Sequence, residues 1–323
     1  MAGQEKSSLV LVIIVSMICA AAGGEAAIQP DQNCPTRCGK VDIEFPFGTS
    51  ENCYLHPSFL ITCHNNSAYL QVGPPENNLP VLNISPEKGE MVVSAKVAKT
   101  CYDASEKMVF TTPPMVYNLT SRKLFSVSQS RNRLTVIGCN SFGVLDGFDS
   151  EGRAFRTDCI SYCTRSGAVK NVTATTNDLC RGAGCCRIHL SATGLSYFAY
   201  DSDQLFFNNN ASTLIYKSQH KNQCSYAFLV QDGDYNFSPR DLDNFRNESF
   251  PVLLDWAVAN QTCQQAKVNT STYKCKAHNS RCENATTGLG YICRCQDGFE
   301  GNPYLYHGCQ GIILSYFFYR DFV

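Results

Sequence analysis

Net charge is nearly absent: 27 Lys and Arg stand against 28 Asp and Glu in 323 residues, a formal balance of −1. No global field therefore draws the chain to nucleic acid or to a membrane surface. It holds one tryptophan and six scattered histidines, with no Gly-X-Ser-X-Gly, no His-Glu-X-X-His and no paired-carboxylate motif. Those absences argue against nucleophile-elbow and zinc hydrolases, whereas a glycosidase's carboxylate pair has no sequence spacing by which to be read. A Gly-rich phosphate loop and the His-Arg-Asp and Asp-Phe-Gly triplets are missing as well, leaving no means of phosphoryl transfer. The chain reads as a non-enzyme. Sustained helical periodicity is rare, and no apolar run reaches the roughly 20 residues of a membrane span.

What is present begins with a leader. Residues 9–22 form an apolar run, LVLVIIVSMICAAA, behind Lys6, and the small residues Gly23, Gly24 and Ala26 follow. This is the layout of a secretory signal peptide over 1–27, cleaved between about 22 and 27. Of 19 cysteines, Cys19 falls in the leader, so 18 enter an oxidising compartment, enough for nine disulfides. Close pairs such as Cys34/Cys38, Cys159/Cys163 and Cys185/Cys186 could in principle hold zinc. The compartment and the scattered histidines favour bridges instead, so no metal and no cofactor is expected. Asn-X-Ser/Thr triplets at Asn65, Asn83, Asn118, Asn171, Asn210, Asn236, Asn247, Asn260, Asn269 and Asn284 point to the same pathway. Pro239 disfavours the one at Asn236.

The patterning is that of strands. Val41, Ile43, Phe45 and Phe47 alternate with Lys40, Asp42, Glu44 and Pro46, the period of a strand with one buried face. Short runs of strand character recur at 80–84, 91–97, 123–127, 133–138, 225–230 and 252–256, separated by Gly, Pro, Asn and Asp clusters. The expected fold is mostly β and disulfide-rich, with two small cysteine-stapled domains and a terminal module. Trp256 closes the apolar run Val252-Leu253-Leu254, so it reads as core before it reads as a sugar platform.

Cys263, Cys275, Cys282, Cys293, Cys295 and Cys309, with Tyr291 and Gly298-Phe299-Glu300-Gly301, resemble an epidermal-growth-factor-like (EGF-like) module. That resemblance implies the bridges Cys263–Cys282, Cys275–Cys293 and Cys295–Cys309. Calcium-binding members carry acids before the first cysteine, where this chain has Val258-Ala259-Asn260-Gln261-Thr262. Upstream, Cys34…Cys38-Gly39 leads into Ile43-Glu44-Phe45-Pro46-Phe47-Gly48, Cys53-Tyr54 and Cys63, then Cys101-Tyr102 and Cys139. A second stretch holds Cys159, Cys163, Cys180, Gly184-Cys185-Cys186 and Cys224. The whole progression resembles the extracellular part of plant wall-associated receptor kinases. Pairing among these twelve upstream cysteines is open.

By that resemblance, residues 28–141 are a galacturonan-binding domain, 142–262 a second cysteine-rich domain and 263–309 the EGF-like module. Residues 310–323 form an apolar tail too short for a membrane span, where the family would continue into a span and a Ser/Thr kinase. The implied function is recognition of acidic pectin in the cell wall by a secreted chain, with plasma-membrane attachment in a longer form. The alternative is a protein-interaction module that meets a peptide or co-receptor through the EGF-like part. Local charge supplies the candidate contacts. Lys96, Lys99, Arg122, Lys123, Arg131 and Arg133 fall in a stretch poor in acids. If 131–136 is a strand, Arg131, Arg133 and Thr135 share one face, and guanidinium forks suit the carboxylates of a polygalacturonate. A plain solvated basic face is the other reading of these charges.

Overall fold

The computed structural model describes residues 30–103, 105–149, 151–163, 180–192, 194–205, 223–285 and 290–312. The leader, Asn171, Asn210 and residues 313–323 of the tail lie outside them. The described chain is mostly β and carries nine disulfides.

Two antiparallel sheets dominate. The larger runs from Ala154–Ser161 through Ser141–Asp149, Leu195–Gln204, Phe125–Val127, Ser249–Trp256, Glu90–Lys96, Leu79–Ser85 and Ser67–Leu70 to Ile61–His64. Met115–Asn118 adds to it alongside Leu195–Gln204. The smaller sheet has the order Cys185–His189, Asn132–Ile137, Gln223–Gln231, Ala98–Tyr102 and Met108–Thr111.

Both sheets draw strands from either side of residue 141. Ser249–Trp256 pairs with Glu90–Lys96 over seven register positions, and Asn132–Ile137 sits between Cys185–His189 and Gln223–Gln231. Cys101 and Cys224 face each other across Ala98–Tyr102 and Gln223–Gln231 and are bonded. An unpaired strand edge takes whichever partner completes its hydrogen bonds, and sequence proximity does not decide which one that is.

The strand Asn132–Ile137 is buried at every position. Leu134 and Val136 turn toward the larger sheet, whereas Ile137 joins a second cluster with Tyr226, Phe228, Val230, Tyr235 and Phe250. Both faces of the smaller sheet are thus covered at its centre, and Tyr226–Val230 of the neighbouring strand is buried at every position. Gly143 permits the close approach of the sheets, since a Cβ there would lie 2.5 Å from Val136 Cγ2 and 2.8 Å from Ala227 Cβ.

Residues 41–47 depart from the strand expected there. Only Val41–Asp42 is a strand, although Val41, Ile43, Phe45 and Phe47 are all buried. Pro46 offers no N–H to a ladder, so alternation survives as burial without pairing. Phe47 and Phe59 meet the Trp256 ring edge-on at centroid distances of 5.1 and 5.5 Å. With 2 % exposure, Trp256 is core and no platform for sugar.

The terminal module opens on the helix Cys263–Val268, capped reciprocally by Thr262 and Gln265. It continues in the hairpins Ser280–Asn284/Tyr291–Cys295 and Phe299–Gly301/Cys309–Gly311. Its bridges are Cys263–Cys282, Cys275–Cys293 and Cys295–Cys309. The module packs on the sheets: the Tyr304 and Trp256 rings lie 6.0 Å apart, and Arg294 Nη1 donates to the Glu87 carbonyl at 2.9 Å. Gly89, at φ +68°, makes room for Ile292, whose Cγ2 would lie 2.8 Å from an added Cβ. Upstream, the bridges are Cys34–Cys53, Cys38–Cys63, Cys101–Cys224, Cys139–Cys163, Cys159–Cys186 and Cys180–Cys185. Adjacent Cys185 and Cys186 therefore tie down two different segments.

Candidate functional site

Lys96 ends its strand in the larger sheet, and after Val97 the chain enters Ala98–Tyr102 in the smaller one. The corner is held on all sides. The Lys96 N–H donates to the Tyr117 hydroxyl at 2.9 Å, the Tyr200 hydroxyl donates to the Lys96 carbonyl, and the Val97 N–H donates to the Glu248 carbonyl at 2.9 Å. Burial pushes the pKa of both tyrosines up, so their hydroxyls stay protonated and keep this clamp at any ordinary pH.

A groove of about 840 Å³ opens at this corner. Three cations line it, Lys96, Lys99 and Arg246, against one carboxylate, Glu248. Among its lining residues Tyr69, Phe110 and Phe245 present partly exposed rings, while Tyr117 and Tyr226 are buried at its base. Lys99 stands opposite Tyr226 in the sheet, and Phe110 pairs with Cys101 two residues on, so all three side chains share a face. The Lys99 ammonium accordingly lies 5.4 Å from the Phe110 ring centre and 5.6 Å from that of Tyr226, a double cation–π contact. Arg246 Nε donates to Asn244 Oδ1 at 2.9 Å. Such a surface can stack the apolar faces of sugar rings while pairing with carboxylates.

The basic residues singled out from the sequence separate into two groups. Lys96 and Lys99 line the groove, whereas Arg122, Lys123, Arg131 and Arg133 do not. Arg131 and Arg133 fail as a presented pair. Arg131 lies in the turn before the strand, 3.4 Å from Glu90. Arg133 is 8 % exposed; its guanidinium donates to the Ser130 and Asn132 carbonyls and pairs with Asp232 at 2.6 Å. The shared face with Thr135 is real but packed, because alternation gives a side chain's direction and not what covers it. Arg122 is buried too, donating to the carbonyls of Gln71 and Pro57. Lys123 is exposed, away from the groove.

Arg246 and the tyrosines escaped the sequence reading, since nothing local to residue 246 signals that it will line the same groove as Lys99. The sequon asparagines among the described residues, Asn65, Asn83, Asn118, Asn236, Asn247, Asn260, Asn269 and Asn284, are all exposed. No group of three or more His, Cys, Asp or Glu among the described residues is placed to hold a metal ion. No helix among them is long and apolar enough to cross a membrane.

Residues 34–95 match the family described as wall-associated receptor kinase galacturonan-binding. Tyr69, Pro80 and Ser94 from this stretch build one wall of the groove. The chain is 38% identical to wall-associated receptor kinase 2 of Arabidopsis thaliana over 288 residues, 88% of this chain and 35% of that protein. It is 37% identical to wall-associated receptor kinase 1 of the same plant over 289 residues, with the same coverage. More distantly, it is 24% identical to wall-associated receptor kinase-like 6 over 306 residues. No solved structure matches it. The chain spans about a third of the length of wall-associated receptor kinases 1 and 2, and it is a homologue of the ectodomain of wall-associated receptor kinases.

Proposed function

We propose that this chain is an extracellular receptor module that binds de-esterified galacturonan, the acidic polymer of pectin, in the groove at the sheet corner. The observation that carries the reading is the position of Lys96, Lys99 and Arg246 in an aromatic-lined groove whose near wall belongs to the galacturonan-binding match. Each galacturonate offers a carboxylate to a cation and an apolar ring face to an aromatic side chain. In the cell wall, the module would report the charge state of pectin to the remainder of a receptor of which this chain matches about a third.

Calorimetric titration with oligogalacturonides tests the reading. De-esterified oligomers should bind and methyl-esterified ones should bind at least about tenfold more weakly, because esterification removes the charge. Raising salt should weaken the interaction, since exposed ion pairs are screened over about 10 Å at 0.1 M. Equal affinity for both oligomers would remove charge recognition as the mechanism.

A further inference from the structure

The groove contains a feature that a ligand site would not need. Asn247, at its edge, is the acceptor of the triplet Asn247-Glu248-Ser249. Ser249 pairs with Lys96 in the sheet, and the Glu248 carbonyl takes the Val97 N–H, so Asn247 is the next residue out from this pairing at the Lys96–Val97 corner. Arg246 directly precedes it. Of the eight described sequon asparagines, Asn247 alone lines the groove.

We propose that Asn247 carries an N-glycan that lies across the groove mouth, and that its occupancy sets the affinity for acidic oligosaccharide. The inference rests on the groove being the galacturonan site. A glycan is bulky and is built of the same kind of ring that the groove aromatics would stack. Its attachment at the rim makes it a tethered competitor at an effective concentration on the order of mM, so even a weak fit keeps it in place. A neutral glycan core brings no carboxylates for Lys96, Lys99 and Arg246. An acidic oligomer long enough to engage all three cations therefore displaces it, whereas a short or esterified one does not. The Ser249 hydroxyl lies 2.9 Å from Ser94 Oγ across the strand pair, so modification belongs to the chain before these strands close.

The test uses the full chain secreted from plant cells, with Asn247 occupancy read by glycopeptide mass spectrometry. Asn247→Gln removes the acceptor and keeps an amide and the Ser94–Ser249 bond, while Ser271→Ala removes the sequon of Asn269 in the terminal module as a control. We expect Asn247 to be occupied and Asn247→Gln to bind a short de-esterified oligogalacturonide about tenfold more tightly than wild type, with Ser271→Ala unchanged. Endoglycosidase trimming of the folded wild type should give the same gain, which covers the case of a variant that folds poorly. An unoccupied Asn247, or equal affinity with and without its glycan, overturns the gate and leaves galacturonan binding standing. Binding by neither form overturns both.

Discussion

Asn132 and Leu253 exchange two hydrogen bonds across the two sheets: Asn132 Nδ2 donates to the Leu253 carbonyl at 2.8 Å, and the Leu253 N–H donates to Asn132 Oδ1 at 2.9 Å. Asn132 is fully buried, and its amide also donates to the Ser128 carbonyl at 2.7 Å. One side chain thus pins the smaller sheet to the central strand of the larger one. Asn132→Leu should cost about 3–5 kcal/mol, because it takes the amide partner from the buried Leu253 N–H and the Ser128 carbonyl. Urea denaturation measures this; a loss below about 1 kcal/mol would mean that water replaces the amide at no cost.

Arginine and lysine substitutions should separate stability from binding. Lys99→Glu should leave folding nearly intact and weaken de-esterified oligogalacturonide binding by about tenfold, through reversed charge at the groove. Arg133→Glu should do the opposite. It loses two backbone carbonyl partners and sets a new carboxylate beside Asp232, costing roughly 2–4 kcal/mol of stability. Thermal melts and titrations on both variants check the contrast, and a stable Arg133→Glu with lost binding would reverse the assignment.

Asp255 should make stability depend on pH. Burial, followed by the neighbouring Glu90 charge, pushes its carboxyl up to about 6 against the Ser128 hydrogen bond and Arg131. An acid whose folded pKa is raised holds its proton more tightly in the native state. Its contribution is therefore fullest below the ordinary value of 3.8 and is lost as pH rises through about 6. Asp255→Asn should accordingly stabilise by roughly 2–3 kcal/mol near pH 7 and by little near pH 4. Equal effects at the two pH values would show that the carboxyl is not perturbed.

The Cys101–Cys224 bridge joins residues 123 apart. Cys101→Ala/Cys224→Ala should cost about 3–5 kcal/mol, the most of any upstream pair by loop length. Non-reducing peptide mapping should also place Cys185 with Cys180 and Cys186 with Cys159. A Cys185–Cys139 peptide would contradict the chain path around the smaller sheet.

Much of the fold was legible because some signals are local. The runs at 80–84 and 91–97 fall within the strands Leu79–Ser85 and Glu90–Lys96, apart from Val97, for one buried face imposes period two on contiguous residues. Lys96 and Lys99 could be named as candidates because they lie in an acid-poor stretch. Arg133 was named by the same rule, but its burial and its pairing with Asp232 were not legible, since Asp232 follows the neighbouring strand 99 positions later.

Composition, the cysteine count and hydrophobic alternation by themselves pointed to a disulfide-rich β protein, and family resemblance pointed to the EGF-like end, because each depends on residues read one after another. The tertiary structure alone decided that residues 28–141 and 142–262 interleave in shared sheets, that Tyr117 and Tyr200 clamp the Lys96 corner, and that Arg246 and Asn247 line the same groove as Lys99. The physical reason is that strand pairing is settled by which edges and faces can be buried together, a property of the whole chain and not of any segment.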